Sequence, residues 1–153
     1  MNCEQCIDNA LASRLTQLRL YLGQFDISDC SFEDGELRID EIDACIEIEC
    51  HEDDTIETLF DGFEDQLHEE VYDRFSEFGL DFAYDSENDC YSYLLSWGGP
   101  SDGFRFYRDR IEYYYLDWFD GAVRDVSHIP VAQDLYSYFA ELDCINFERD
   151  SDA

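Results

Sequence analysis

Hydrophobic residues recur at steps of three and four along residues 3–22, a spacing that predicts an amphipathic helix. Asn2, with Gln5 three positions later, suits the start of this helix, and Gly23 suits its end. The apolar positions that define the inward face are Ile7, Leu11, Leu15, Leu18 and Leu22.

A second and longer amphipathic pattern covers residues 55–78. Asp54 and Glu57 resemble a capping box at its start, and Gly79 is predicted to end the helix. The predicted apolar stripe consists of Ile56, Leu59, Phe60, Phe63, Leu67, Val71, Phe75 and Phe78.

Between the two helices, the pattern changes to one that is typical of strands. Asp34-Gly35 is a strong two-residue turn signal with a short strand-like run on either side. Residues 44–50 then alternate, with Ala44, Ile46, Ile48 and Cys50 on one face and polar or smaller residues on the other. This alternation predicts a half-buried strand.

The second half of the chain reads as an antiparallel meander followed by a helix over residues 130–142. Aromatic and β-branched residues are enriched in four strand-like segments, namely residues 80–84, 90–97, 104–108 and 111–118. The helix is predicted to place Val131, Leu135, Phe139 and Leu142 inward. We therefore expect an α+β fold: an antiparallel β-sheet of about five to six strands with helices packed on one face. A single acidic domain is expected over residues 1–153.

The charge of the chain is extreme. There are 39 acidic residues against nine basic ones, all nine are Arg, and the formal net charge is −30. A net charge of about 2–8 in magnitude suffices for solubility, and more destabilises the compact state by self-repulsion. The 16% aromatic content indicates that the acid covers a folded body. Adaptation to high salt and acidity without a functional role remain alternatives, whereas direct nucleic-acid binding is disfavoured because phosphate contacts need a basic patch.

The cellular compartment is predicted from the signal-peptide and membrane-span patterns that the sequence lacks. Residues 1–5 contain neither the basic region nor the apolar run of a signal peptide, and no apolar stretch approaches the ~18 residues of a membrane span. Seven Cys, an odd number, do not suggest a disulfide framework. We expect a protein of the reducing cytoplasm of a bacterial host, without membrane contact.

Acidic residues occupy every fourth position of the 55–78 segment, namely Glu57, Asp61, Asp65, Glu69, Asp73 and Glu77. Like charges four residues apart destabilise a helix by roughly 0.2–0.5 kcal/mol per pair. Four residues rise ~6 Å along a helix, a spacing close to that of phosphates along a winding nucleic-acid strand. The candidate partner-binding residues are these six together with Glu64, Glu47, Glu49, Asp81, Asp85, Glu87 and Asp89.

By type and charge pattern, the chain resembles the small acidic DNA-mimic inhibitors of phages and plasmids, which include anti-restriction and anti-CRISPR proteins. The resemblance implies a non-enzymatic inhibitor that blocks the DNA- or RNA-binding site of a defence complex or of another basic nucleic-acid-binding protein. An immunity protein that neutralises a basic nuclease toxin is the alternative, and a chaperone or adaptor for a basic protein is a third class. A homodimer is left open by Tyr113, Tyr114 and Tyr115. Residues 98–104 and 117–122 are similar to segments of uncharacterised proteins of mobile elements, which bring no known activity.

Signals for metal binding and catalysis are weaker. Cys3 and Cys6 have the spacing of half a zinc site, with Cys45, Cys50 and His51 as the other half, although buried thiols are the simpler interpretation. The three His are isolated, and no nucleophile elbow or phosphate-binding loop is present. We therefore expect no catalytic residues, no metal and no cofactor.

Overall fold

The computed structural model describes residues 2–151 and confirms the α+β class. The described chain divides into two compact units. Residues 16–78 form what we call the three-stranded unit, and residues 2–15 together with 79–151 form the five-stranded unit. In chain order the elements are α1 (Cys3–Tyr21), β1 (Ser31–Glu33), β2 (Glu36–Ile39), β3 (Ala44–Glu47), α2 (Ile56–Arg74), β4 (Asp81–Asp85), β5 (Cys90–Ser96), β6 (Ser101–Phe106), β7 (Ile111–Asp117), β8 (Asp120–Asp125), α3 (Pro130–Glu141) and α4 (Phe147–Ser151).

The predicted first helix and the predicted hairpin are both confirmed. Asn2 and Gln5 exchange hydrogen bonds at the start of α1, since the Asn2 Oδ1 accepts from the Gln5 backbone N–H at 3.0 Å. Asp34 and Gly35 both adopt positive φ, +53° and +77°, which a type I′ turn between β1 and β2 requires.

In the three-stranded unit, the antiparallel sheet β1-β2-β3 packs against α2. Apolar side chains from β2 and β3 meet the inward face of α2 in one buried cluster, whose members include Leu37, Ile39, Ala44, Ile46, Phe60, Leu67 and Val71. Strand β3 ends at Glu47, earlier than the predicted residue 50, because its pairing ends where β2 begins, at Glu36. The prediction that Cys50 lies on the buried face is therefore wrong, and Cys50 is exposed.

The start and end of α2 have different causes from those predicted. The N-cap is Thr55, whose hydroxyl accepts from the Thr58 backbone N–H at 3.3 Å, while Thr58 Oγ1 accepts from the Thr55 N–H at 2.9 Å. The predicted pair of Asp54 and Glu57 therefore does not form the capping box. The α-helix gives way to a 3₁₀ turn at Phe75–Glu77. Gly79 has no positive φ, and a Cβ there would lie 2.1 Å from the Tyr93 ring, so packing explains this glycine.

The five-stranded unit is an antiparallel meander in the order β4-β5-β6-β7-β8. Helices cover one face of this sheet, as predicted: Phe139 of α3 packs against Phe82, Tyr93 and Phe106, with ring centroids 4.5, 4.9 and 5.8 Å away. The first part of α1 lies on the same face, since Arg14 reaches Asp102, whose side chain points to the same side of β6 as Phe106.

The number of strands, the start of β6 and the position of Leu142 differ from the sequence-based predictions. The described strands number eight in two sheets, against about five to six in one sheet, and neither β8 nor α4 was predicted. Strand β6 begins at Ser101 rather than residue 104. Leu142 is exposed rather than inward, because α3 ends at Glu141 and the chain turns through Asp143 at φ +61°. The prediction of one domain stays a prediction.

Candidate partner-binding surface

Five of the predicted carboxylates form an exposed row along α2, which we call the α2 row: Glu57, Asp61, Asp65, Glu69 and Asp73. The amphipathic sequence fixes this placement, because the buried residues of α2 are Leu59, Phe60, Leu67 and Val71, and the acids occupy the remaining faces. None of the five carboxylates forms an ion pair or a hydrogen bond with another residue of the described chain 2–151. The row is therefore available to a partner.

The other acids of this segment have internal partners. Glu70 accepts a hydrogen bond from Arg74 Nε at 2.9 Å, and the Arg74 Nη1 lies 3.6 Å from Glu77. Glu64 is half-buried, and its carboxylate lies 3.6 Å from His68 Nε2. Glu77 also lies beyond α2, in the 3₁₀ turn. These contacts end the predicted pattern after Asp73.

Glu47 and Glu49 belong to the same unit but do not join the α2 row. Ile46 points from β3 into the cluster that contacts α2, so its neighbour Glu47 points to the opposite face of the sheet. Glu49 follows the end of β3, and both side chains are exposed. Glu47 therefore lies on the face of the sheet opposite to α2, and Glu49 lies in the segment that follows the strand.

Two of the predicted residues of the β4–β5 hairpin hold the hairpin together. Asp85 accepts hydrogen bonds from the Glu87 backbone N–H at 3.0 Å and from Asn88 Nδ2 at 2.7 Å. Asp89 accepts from the Tyr84 hydroxyl and the Ser151 hydroxyl, each at 2.5 Å. Hydrogen bonds from Ser151 and Tyr84 lower the pKa of Asp89, and those from Asn88 lower the pKa of Asp85.

The remaining two predicted residues, Asp81 and Glu87, are exposed in this hairpin. Neither carboxylate has an ion pair or hydrogen-bond partner within residues 2–151. Of the four acids predicted here, these two are the ones available for contact with a partner.

All nine arginines contact carboxylates or an aromatic ring of the same chain. Arg105 lies over the Tyr114 ring, with its guanidinium carbon 4.3 Å from the ring centroid. Every other arginine forms an ion pair with a carboxylate at 2.7–3.6 Å; these are Arg14, Arg19, Arg38, Arg74, Arg108, Arg110, Arg124 and Arg149. No arginine is left to neutralise the α2 row, so its field extends into solvent.

The cysteines do not assemble a metal centre among residues 2–151, where no group of three or more His, Cys, Asp or Glu has ligand geometry. Cys3 and Cys6 lie in the first turns of α1, and Cys45 lies in β3. Burial raises the pKa of the Cys3 thiol, and burial raises that of Cys30 to about 11. Both thiols are therefore poor nucleophiles at neutral pH.

A buried polar centre in the five-stranded unit was missed by sequence reasoning. Asp102 is 3% exposed and is the one buried charged residue of the described chain. Its carboxylate accepts hydrogen bonds from Arg14, from the Tyr113 hydroxyl at 2.5 Å and from the Ser96 hydroxyl at 2.5 Å. The available signal was an arginine beside the apolar stripe of α1 and an aspartate two positions before Phe104. Both carboxylate oxygens of Asp102 accept two hydrogen bonds each, so we interpret this centre as structural.

The tyrosine run gives no support to a homodimer. Tyr113 and Tyr114 are buried within the five-stranded unit, and Tyr115 is half-buried. Within residues 2–151, no helix combines the length and apolar character that a membrane-spanning segment needs.

No protein-family model, curated protein or solved structure matches this chain. Surface geometry and charge therefore carry the functional inference.

Proposed function

We propose that this protein is a non-enzymatic inhibitor that uses the α2 row to imitate a nucleic-acid strand. It would occupy the DNA- or RNA-binding site of a basic protein, such as a restriction or CRISPR defence complex, as in the DNA-mimic inhibitors that it resembles. The observation that carries the proposal is the exposure of five evenly spaced carboxylates without a cationic partner in the described chain.

The geometry of the row supports imitation of a phosphate strand. Successive carboxylates are separated by ~6 Å along the helix axis and by about 40° around it, because four residues exceed one turn of 3.6. The row therefore winds in the right-handed sense, as a strand of B-DNA does, with a full turn every ~54 Å. A B-DNA strand completes its turn in about 34–36 Å, so the row imitates a short stretch of strand rather than a full turn.

The energetics also favour a cationic partner. Glu57 to Asp73 contains four like-charge pairs at a spacing of four residues, and together they cost about 1–2 kcal/mol. No arginine of the fold offsets this repulsion. A cleft lined by Lys and Arg would offset it, and the net charge of −30 would accelerate the encounter by electrostatic steering.

The experiment compares two triple variants that both reduce the net charge from −30 to −27, since each removes three carboxylates. Asp61→Asn/Asp65→Asn/Glu69→Gln alters the row, and the control Glu33→Gln/Glu141→Gln/Glu148→Gln alters exposed acids elsewhere. Each protein is immobilised, exposed to nuclease-treated bacterial lysate, and eluted with duplex DNA, with RNA, or with polyglutamate at equal charge concentration.

We expect the wild-type protein to retain basic nucleic-acid-binding proteins that DNA or RNA elutes at lower concentration than polyglutamate does. The row variant should retain them at least about tenfold more weakly, because each lost carboxylate removes a charged contact, and the control should match the wild type. Equal losses in both variants would mean that bulk charge alone is responsible. Direct binding of duplex DNA by the protein in a gel shift would also contradict the proposal.

A further inference from the structure

The most exposed large hydrophobic side chains of the described chain gather at one end of the five-stranded sheet. Trp97, Trp118 and Phe119 are 78%, 83% and 100% exposed. Ser101 pairs with Leu116 and Asp117 pairs with Asp120, so the β5–β6 and β7–β8 turns lie at the same end of the sheet. Clustered exposed aromatic residues mark interaction sites, because tryptophan contributes unusually large binding energy when it is covered.

A pocket of about 350 Å³ lies between the two turns. Trp97 and Trp118 line it together with Leu116, and the glycines of the β5–β6 turn leave it open. Asp117 supplies the carboxylate of the lining, and no basic side chain is present in it. The pocket therefore combines two indole rings with one negative charge.

Hydrogen bonds hold the β7–β8 turn, which carries Trp118. The β5–β6 turn, which carries Trp97, contains Gly98 and Gly99 at φ +86° and +62°, values that other residues rarely tolerate. Asp117 accepts a hydrogen bond from the Trp118 backbone N–H at 2.9 Å. Asp120 accepts from the Cys3 N–H at 2.8 Å, which ties the β7–β8 turn to the start of α1. A turn held in this way loses little conformational entropy when a ligand binds.

The chemistry of the lining selects the ligand. Indole faces attract cations, and a planar guanidinium both stacks on aromatic rings and pairs with a carboxylate. An apolar ligand would desolvate the Asp117 carboxylate without supplying a counter-charge, and an anion would be repelled. A second copy of the chain would bring another net charge of −30 to the interface.

We propose that the pocket between Trp97 and Trp118 binds the guanidinium group of an arginine on a basic partner protein. The site belongs to the five-stranded unit and uses none of the α2 carboxylates. It therefore does not depend on the proposed function, although both sites would favour a cationic partner.

Both tryptophans of the chain line this pocket, so intrinsic fluorescence reports its occupancy directly. The probes are capped glycine–X–glycine tripeptides with arginine, lysine or glutamine at the centre. We expect the arginine peptide to change the fluorescence saturably, the lysine peptide to bind more weakly and the glutamine peptide not to bind.

Two variants and one control test the assignment. Trp118→Ala keeps Trp97 as the reporter, and Asp117→Asn keeps the hydrogen-bond acceptor for the Trp118 N–H while removing the charge. Each should weaken arginine binding at least about fivefold. Phe119→Ala, which removes a fully exposed ring outside this pocket, should bind as the wild type does.

The proposal is overturned if the glutamine peptide binds as well as the arginine peptide, or if Trp118→Ala binds with unchanged affinity. Equal affinity for lysine and arginine would overturn the guanidinium assignment. The α2 row triple variant should bind the arginine peptide normally, which separates this test from that of the proposed function.

Discussion

Arg14 of α1 donates two hydrogen bonds to Asp102 of β6, from Nε to Oδ2 at 2.7 Å and from Nη2 to Oδ1 at 2.9 Å. The two residues are 88 positions apart in the sequence. This contact fixes the first part of α1 to the five-stranded sheet. It also allows a carboxylate to lie buried in a strand, which would otherwise be strongly unfavourable.

We expect Asp102→Asn to lower the free energy of unfolding by about 3 kcal/mol, because the variant removes the charge that Arg14 and Tyr113 face. Asp109→Asn is the matched control. Asp109 is well exposed and its partner Arg110 is partly exposed, so the loss of this ion pair should cost less than about 1 kcal/mol. Urea denaturation measures both, and similar losses would show that the buried pair contributes no more than a surface pair.

The same carboxylate predicts a dependence of stability on pH. Burial alone would raise the pKa of Asp102, but hydrogen bonds from Arg14, Ser96 and Tyr113 outweigh it and lower the pKa below its ordinary value of 3.8. Because the pKa is lower in the folded state, the stability that the carboxylate contributes is present above pH 3.8 and is lost as the pH falls through the folded pKa.

The difference in unfolding free energy between wild type and Asp102→Asn should therefore stay constant from neutral pH to about pH 4 and shrink below that. Urea titrations at successive pH values measure it. A difference that shrinks already near pH 6 would show that Asp102 is not the titrating group.

The α2 row should reduce the stability of the protein. Asp61→Asn/Asp65→Asn/Glu69→Gln removes all four like-charge pairs of the row, so we expect the unfolding free energy to rise by about 1–2 kcal/mol. Added salt should raise the melting temperature of the wild type more than that of the variant, because salt screens the repulsion between the carboxylates of the row. The Debye length falls to ~10 Å at 0.1 M salt. Thermal melts of both proteins at about 20 and 500 mM NaCl measure this difference in salt response. An equal response would indicate that the row is not a centre of repulsion.

Two glycines should respond in opposite ways to substitution by alanine. A Cβ at Gly62, inside α2, meets nothing within 4 Å, so Gly62→Ala should stabilise the protein by about 0.5–1 kcal/mol. A Cβ at Gly103 would lie 2.3 Å from the Tyr93 carbonyl oxygen, so Gly103→Ala should cost about 1–3 kcal/mol. Thermal melts measure both changes. A stabilising Gly103→Ala would contradict the close pairing of β5 and β6.

Local features were determined by the sequence alone. The capping residues of α1, the turn at Asp34-Gly35 and the apolar stripe of α2 are encoded within a few positions of one another, so their pattern is readable without tertiary contacts. The exposure of the α2 row follows from the same periodicity, because the acids fall outside the apolar face.

Only the tertiary structure decided how distant segments use their polar and aromatic residues. The charge pattern does not distinguish Asp89, which holds the β4–β5 hairpin together, from Asp61, which has no partner in the described chain. The end of β3 depends on the length of β2, and the burial of Asp102 depends on Arg14. Trp97 and Trp118 line one pocket because β6 and β7 pair. Contacts between residues far apart in the chain leave no local periodicity, so they emerge only when the sheet is assembled.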